Sequence, residues 1–109
     1  MAFETNHNVY VVELDPVVLE KEPGFLQENP EHHSMMSCLY VGMTGLDPQE
    51  RYANHKKGYK ANRLVSRYGR RLRPDLYQRY NPMTYEKAKQ TEVLLARQLR
   101  SEGHAVWQR

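Results

Sequence analysis

Glu92 is the residue of this chain whose position is hardest to explain as structure alone. Tyr85, Ala88, Leu95 and Leu99 recur at helical spacing and share one face, and Glu92 falls in the middle of that stripe. A carboxylate on an apolar face loses hydration, and it is stable there only when ion-paired or bound to a metal. An ion pair with a nearby arginine, or a stripe rotated enough to expose the carboxylate, is the purely structural alternative. A magnesium site needs little more than one such carboxylate, because waters and phosphate oxygens complete its shell. Arg51 and His55 form a second pair, four residues and hence one helical turn apart on a common face. The guanidinium can hold a phosphate through two hydrogen bonds and offset the charge that builds on it during attack. The imidazole titrates near neutrality and can relay a proton. Tyr10 and Tyr40 come third, each inside a β-branched run where tyrosines are usually core residues with a satisfied hydroxyl. Gly42, two after Tyr40, is unusual within a strand and marks a close approach to the backbone.

The charge pattern says what such a site would meet. Residues 1–50 carry nine carboxylates and one lysine, whereas residues 51–79 carry ten lysines and arginines and one aspartate. A basic block of this kind is the footprint expected for a polyanion, and its nucleic-acid contacts are assigned to Lys56, Lys57, Lys60, Arg63, Arg67, Arg70 and Arg71. Tyr52, Tyr59, Tyr68, Tyr77 and Tyr80 are interleaved with it, and exposed ones could stack on bases. Two solvated helix faces that happen to be basic are the plainer explanation. With 39% hydrophobic and 27% charged residues the composition is that of a globular protein, which argues against disorder along the whole chain. No apolar run approaches the ~20 residues needed to cross a bilayer, and the start, MAFETNHN, lacks a secretory pattern. A single cysteine, Cys38, fits a reducing compartment and excludes multi-thiolate zinc sites, so a cytoplasmic protein without a membrane partner is expected.

The elements that must position these residues follow from pattern. Residues 9–14 (VYVVEL) and 38–43 (CLYVGM) read as paired strands. Between them, residues 15–37 form a long acidic connection with three prolines and His32-His33, helical at most over residues 17–21; adjacent loop histidines seldom converge on a metal without further ligands. Asp47-Pro48-Gln49-Glu50 announces a helix by cap, first-turn proline and capping-box glutamate, ending at Gly58. Residues 62–68 read as a short helix stopped by Gly69, residues 74–80 as a third strand with Pro74 near an edge, and Tyr85–Ser101 as the last helix, capped by Thr84 and ended near Gly103. Residues 105–107 read as a short strand or a packed tail. The expectation is one α+β domain over residues 1–109.

Taken in order, these pieces resemble the GIY-YIG nuclease superfamily. Val9-Tyr10-Val11 keeps the tyrosine and strand of the first motif without its leading glycine. Tyr40-Val41-Gly42 supplies the second, followed by Met43-Thr44-Gly45. RYANHKKG, residues 51–58, has the family's arginine, a histidine four later and a closing glycine, and Ala88 and Glu92 stand in its Ala-x-x-x-Glu arrangement. The resemblance runs from Val9 to about Ser101. It implies a compact sandwich with a small, mainly antiparallel three-stranded sheet flanked by helices, in which residues 15–37 are an insertion available to a protein partner. It further implies hydrolysis of DNA phosphodiesters with one Mg²⁺ or Mn²⁺ ion. Glu92 would bind that ion, Arg51 would clamp the phosphate, and Tyr10 would act as general base with Tyr40 beside it. A metal-bound water network, or a proton-accepting neighbour such as His55, would make the tyrosine basic enough, and Gly42 would let the backbone pack against both rings. With no second DNA-binding region in view, strand or branch structure is a more natural specificity than a long sequence. An inactive scaffold binding nucleic acid or protein is the competing reading. A basic RNA-binding module with exposed stacking tyrosines and Glu92 paired to arginine is a third.

Overall fold

The computed structural model describes residues 4–108 of the 109. Strand β1 (Asn8–Leu14) is buried at Val9, Tyr10, Val11 and Val12 in succession, so both its faces are covered. An unbroken apolar run of β-branched residues makes such a strand, because alternation is needed only where one face meets water. β1 pairs antiparallel with β2 (Cys38–Thr44), and Tyr10 lies opposite Gly42 while Val12 lies opposite Tyr40. Side chains two apart share a face, so this register puts both tyrosines on one side of the sheet with Gly42 between them.

Helices α1 (Val18–Lys21) and α2 (Pro23–Gln27) break the connection between these strands. The sequence anticipates the first and misses the second. Residues 15–37 are tied to the body at several points. Val18 and Phe25 are buried in the core, and the Phe25 ring stacks on Trp107 at 6.4 Å. Asn29 accepts the Val106 backbone N–H at 2.7 Å and donates to the carbonyls of Phe25 and Val106.

Helix α3 (Pro48–Lys57) begins as anticipated, with the Asp47 carboxylate accepting the Gln49 N–H, and ends at Gly58 in the left-handed region. Helix α4 (Arg63–Tyr68) is capped by Asn62. The next segment corrects the sequence reading. Residues 74–80 are not a strand; they form two short 3-10 turns, Pro74–Leu76 and Gln78–Tyr80. The strand on that side is β3 (Gly69–Leu72), an arginine-bearing edge paired antiparallel with β1. Pro74 removes a ladder donor, whereas exposed arginines such as Arg70 and Arg71 suit a sheet edge. Beyond β3, the Asn81 amide takes the place of a strand partner, donating to the Val9 carbonyl and accepting the Val9 N–H, both at 2.8 Å.

Helix α5 (Tyr85–Ser101), capped by Thr84, packs on β2 and on β4 (Ala105–Gln108), which runs parallel to β2. Among the described residues the sheet therefore has four strands, not three, in the order β3-β1-β2-β4; it is mixed, with two antiparallel pairings and one parallel, so mainly antiparallel as expected. Five helices and this sheet make an α+β fold among the described residues. Among the described residues no helix is long and apolar enough to cross a membrane.

Candidate active site

Four separate elements converge on one cleft of about 560 Å³. β1 brings Tyr10, β2 brings Tyr40, α3 brings Arg51 and α5 brings Glu92; Lys60 and Arg63 line it from the turn before α4 and from that helix. The Tyr10 and Tyr40 rings are both buried, with centroids 6.0 Å apart, and the His55 ring lies about equally far from each. Gly42 is where close approach matters. A Cβ on it would stand 2.8 Å from the Tyr10 hydroxyl and 2.8 Å from the Tyr40 ring.

His55 is fully buried and does not line the cleft; it reaches the site through Tyr10. Its Nδ1 accepts the backbone N–H of Asn62 at 3.0 Å. An amide N–H can only donate, so Nδ1 carries no proton, and in the neutral ring Nε2 does. Burial first, and then the nearby Arg51 charge, push the His55 pKa down to about 4, which keeps the ring neutral. The 2.8 Å contact between Nε2 and the Tyr10 hydroxyl is therefore a donation by His55 to Tyr10. This reverses the proton-accepting role the resemblance implies. His55 is a positioning residue, and an N–H aimed at a phenol oxygen favours that oxygen's anionic form.

The Tyr10 hydroxyl is otherwise hard to ionise. Burial raises its pKa far above the usual tyrosine value, the Tyr40 charge raises it further, and Arg51 works in the opposite direction. Arg51 is fixed in turn, since its guanidinium donates to the Lys60 carbonyl at 2.9 Å. Lys60 adopts a left-handed φ of 47°, which is uncommon for a residue bearing a side chain.

Glu92 is half-buried at the cleft and not sunk in the core stripe. The stripe itself is Ala88, Leu95, Ala96 and Leu99, while Tyr85 is 50% exposed and faces the cleft. Gln108, from the end of β4, donates to Glu92 Oε1 at 2.7 Å and orients the carboxylate. Glu92 is the one carboxylate lining the cleft, and among the described residues no group of three or more His, Cys, Asp or Glu side chains gathers around a point. A single hard oxygen ligand beside tyrosine hydroxyls suits Mg²⁺ or Mn²⁺ with waters retained, and does not suit a zinc cage. His32 and His33 make local contacts instead, with the Asn29 carbonyl and the Met35 N–H.

The basic block is partly neutralised by the acidic half of the chain. Arg63 makes a two-pronged pair with Glu22 of residues 15–37, and Tyr68 donates to the same carboxylate at 2.8 Å. These contacts hold the Glu22 carboxyl down at about pKa 2. Arg70 pairs with Asp15, Arg71 with Glu13, and Arg73 with Glu13 and Asp75. Lys56 donates to the carbonyls of Ser66 and Gly69, joining α3 to the end of α4. Of the assigned contacts, Lys56, Lys57, Lys60 and Arg67 make no ion pair with a carboxylate among the described residues, although the Arg67 charge also acts on Glu22. Of the five interleaved tyrosines only Tyr59 is exposed; Tyr77 is buried and Tyr52, Tyr68 and Tyr80 are partly covered. Tyr10 and Tyr40 are also buried, whereas the RNA-stacking reading expects exposed tyrosines.

The sequence reading misses Gln108, Asn62, Tyr85 and Lys89 as site residues. Asn62 reads from sequence as the first residue of a short helix, but no local pattern ties its N–H to a histidine, or Gln108 to Glu92.

The buried neutral His55 sets a pH dependence. Its folded pKa lies below the usual 6.5, so the unfolded chain binds this proton first and stability falls as pH drops from about 6.5 toward 4. Between pH 7.5 and 5 the expected loss from this group is roughly 2 kcal/mol. Denaturant unfolding at both pH values, in wild type and His55→Gln, checks it. The variant should lose that part of the slope, and equal slopes would mean the ring already carries a proton in the native protein. His104, also depressed by burial, contributes in both proteins and cancels.

Compared with family models, with curated proteins and with solved structures, the chain matches none.

Proposed function

We propose that the chain is a divalent-metal-dependent endonuclease of GIY-YIG type that hydrolyses DNA phosphodiesters with selectivity for strand or branch structure. The observation that carries this is the convergence of Tyr10, Tyr40, Arg51 and Glu92, from four elements, on one cleft edged by Lys60 and Arg63. Those residue types complement a phosphodiester and a hydrolytic water, and little else in the cleft is apolar enough to favour a small organic ligand.

Arg51 holds the scissile phosphate and offsets the charge gained as a fifth oxygen bonds to phosphorus. A water oxygen attacks phosphorus, the bond to the departing 3′ oxygen breaks, and the water's proton must pass to a base. Tyr10 fills that role as a phenolate, stabilised by the His55 Nε2–H and the Arg51 charge, with Tyr40 positioning the water. Glu92, steadied by Gln108, would hold Mg²⁺ or Mn²⁺, which when bound supplies positive charge for the phosphate, the departing oxygen and the phenolate.

The raised Tyr10 pKa favours a second reading, a scaffold that binds nucleic acid without cutting it. Incubating the protein with end-labelled single-stranded, duplex and branched DNA, in Mg²⁺, Mn²⁺ or EDTA, separates the two. Cutting that needs the metal supports the nuclease. Binding without cutting under every condition supports the scaffold.

A further inference from the structure

Tyr85 stands at the same cleft yet takes no part in the chemistry just described. It occupies the first turn of α5, seven residues before Glu92, which places the two about 10 Å apart along the helix axis on one side. The ring is 50% exposed although its position in the helical stripe predicts burial. Its setting is nevertheless organised. The His7 ring meets it edge-on at 5.2 Å, and His7 is itself pinned by a backbone bridge to Met83, two residues before Tyr85. Lys89, one turn on, brings its ammonium to 5.8 Å from the ring centre and also lines the cleft.

We infer that Tyr85 is a stacking shelf for an unpaired nucleobase next to the phosphate held at Arg51 and Glu92, with Lys89 set to meet the adjoining phosphate. A base face attracts an aromatic ring whatever its sequence, and a ring already braced by His7 loses little rotamer freedom when the base arrives. Paired bases keep their faces against their neighbours in the stack, so only single-stranded, flapped or branched DNA presents one. The cations along the cleft that pair with no carboxylate among the described residues, Arg51, Lys60 and Lys89, suit the backbone on either side. This rests on the nuclease reading and narrows its substrate to DNA with an unpaired stretch at the cut.

The test uses single-stranded oligonucleotides carrying 2-aminopurine, in EDTA so that no metal-dependent cutting intervenes, with anisotropy reporting binding and fluorescence quenching reporting stacking. Wild type and Tyr85→Phe should quench. Tyr85→Leu should lose the quench and bind single strands about tenfold more weakly, with duplex binding unchanged. Tyr59→Leu, which alters an exposed tyrosine outside the cleft lining, should behave as wild type. Equal quenching by wild type and Tyr85→Leu, or a loss seen with Tyr59→Leu instead, overturns the shelf while leaving the nuclease reading intact. No binding of any DNA overturns both.

Discussion

Replacing Glu92 by glutamine is expected to lower metal-dependent cleavage by about a thousandfold while leaving DNA binding within a few-fold of wild type. The substitution is nearly isosteric. A glutamine carbonyl can still accept the Gln108 amide that now donates to Glu92 at 2.7 Å, so the end of β4 and the middle of α5 stay joined. What disappears is the charge. Glu92 is the single carboxylate at the cleft, and a hard divalent cation bound chiefly through one protein ligand loses most of its hold when that ligand is neutral. Several kcal/mol of transition-state stabilisation attributed to the ion would go with it, and each 1.36 kcal/mol is a factor of ten in rate. Binding in EDTA should not weaken, because a negative charge beside the phosphate has been removed. Single-turnover cleavage, anisotropy and calorimetric titration of Mn²⁺ read these three effects separately. Wild-type rates in Mn²⁺ would place the metal on other ligands and end the mechanism proposed for Glu92.

Why Glu92 was legible in the sequence, and Gln108 was not, has a physical basis. A carboxylate inside an apolar helical stripe is a local anomaly, visible over a few turns of one element. Its partner lies on a strand sixteen residues on, and only the turn at Gly103, with φ of 99°, brings that strand back beside α5. The same division holds across the site. Asp47, Pro48 and Gly58 fix the ends of α3 by local chemistry, so Arg51 and His55 fall on a common face as anticipated. The direction of the His55 proton depends on the backbone N–H of Asn62, presented only after the chain has turned through Lys60. Extended character suggested a strand at residues 74–80 and the arginines did not suggest one at 69–72, yet charged side chains suit an exposed edge strand. Residues 15–37 read only as a long acidic connection because Val18, Phe25 and Asn29 are scattered among carboxylates. Their partners, Trp107 and Val106 among them, lie at the far end of the chain.

Gly42→Ala is expected to lower both the stability and the cleavage activity of this protein. The new Cβ would lie 2.8 Å from the Tyr10 ring carbon bearing the hydroxyl, 2.8 Å from that hydroxyl, and 2.8 Å from the Tyr40 ring. Separations below 3.0 Å require something to move, and little here is free to do so. Tyr10 is 1% and Tyr40 3% exposed, and the Tyr10 hydroxyl is held by buried His55. The methyl group therefore either separates β1 from β2 or pushes both rings out of line with the cleft. Overpacking of this kind costs about 1–3 kcal/mol, which in a domain of this size lowers Tm by roughly 10 °C. Displacing the tyrosines by about an ångström should reduce cleavage a further hundredfold in protein that remains folded. Gly24→Ala provides the comparison, because a Cβ there meets nothing within 4 Å and should leave stability near wild type. Thermal unfolding and cleavage at a temperature where both variants are folded distinguish the outcomes. If Gly42→Ala keeps its Tm but loses activity, the rings have moved and the sheet has not. If it keeps both, the tyrosines have room to shift, and the close packing at Gly42 does not position them.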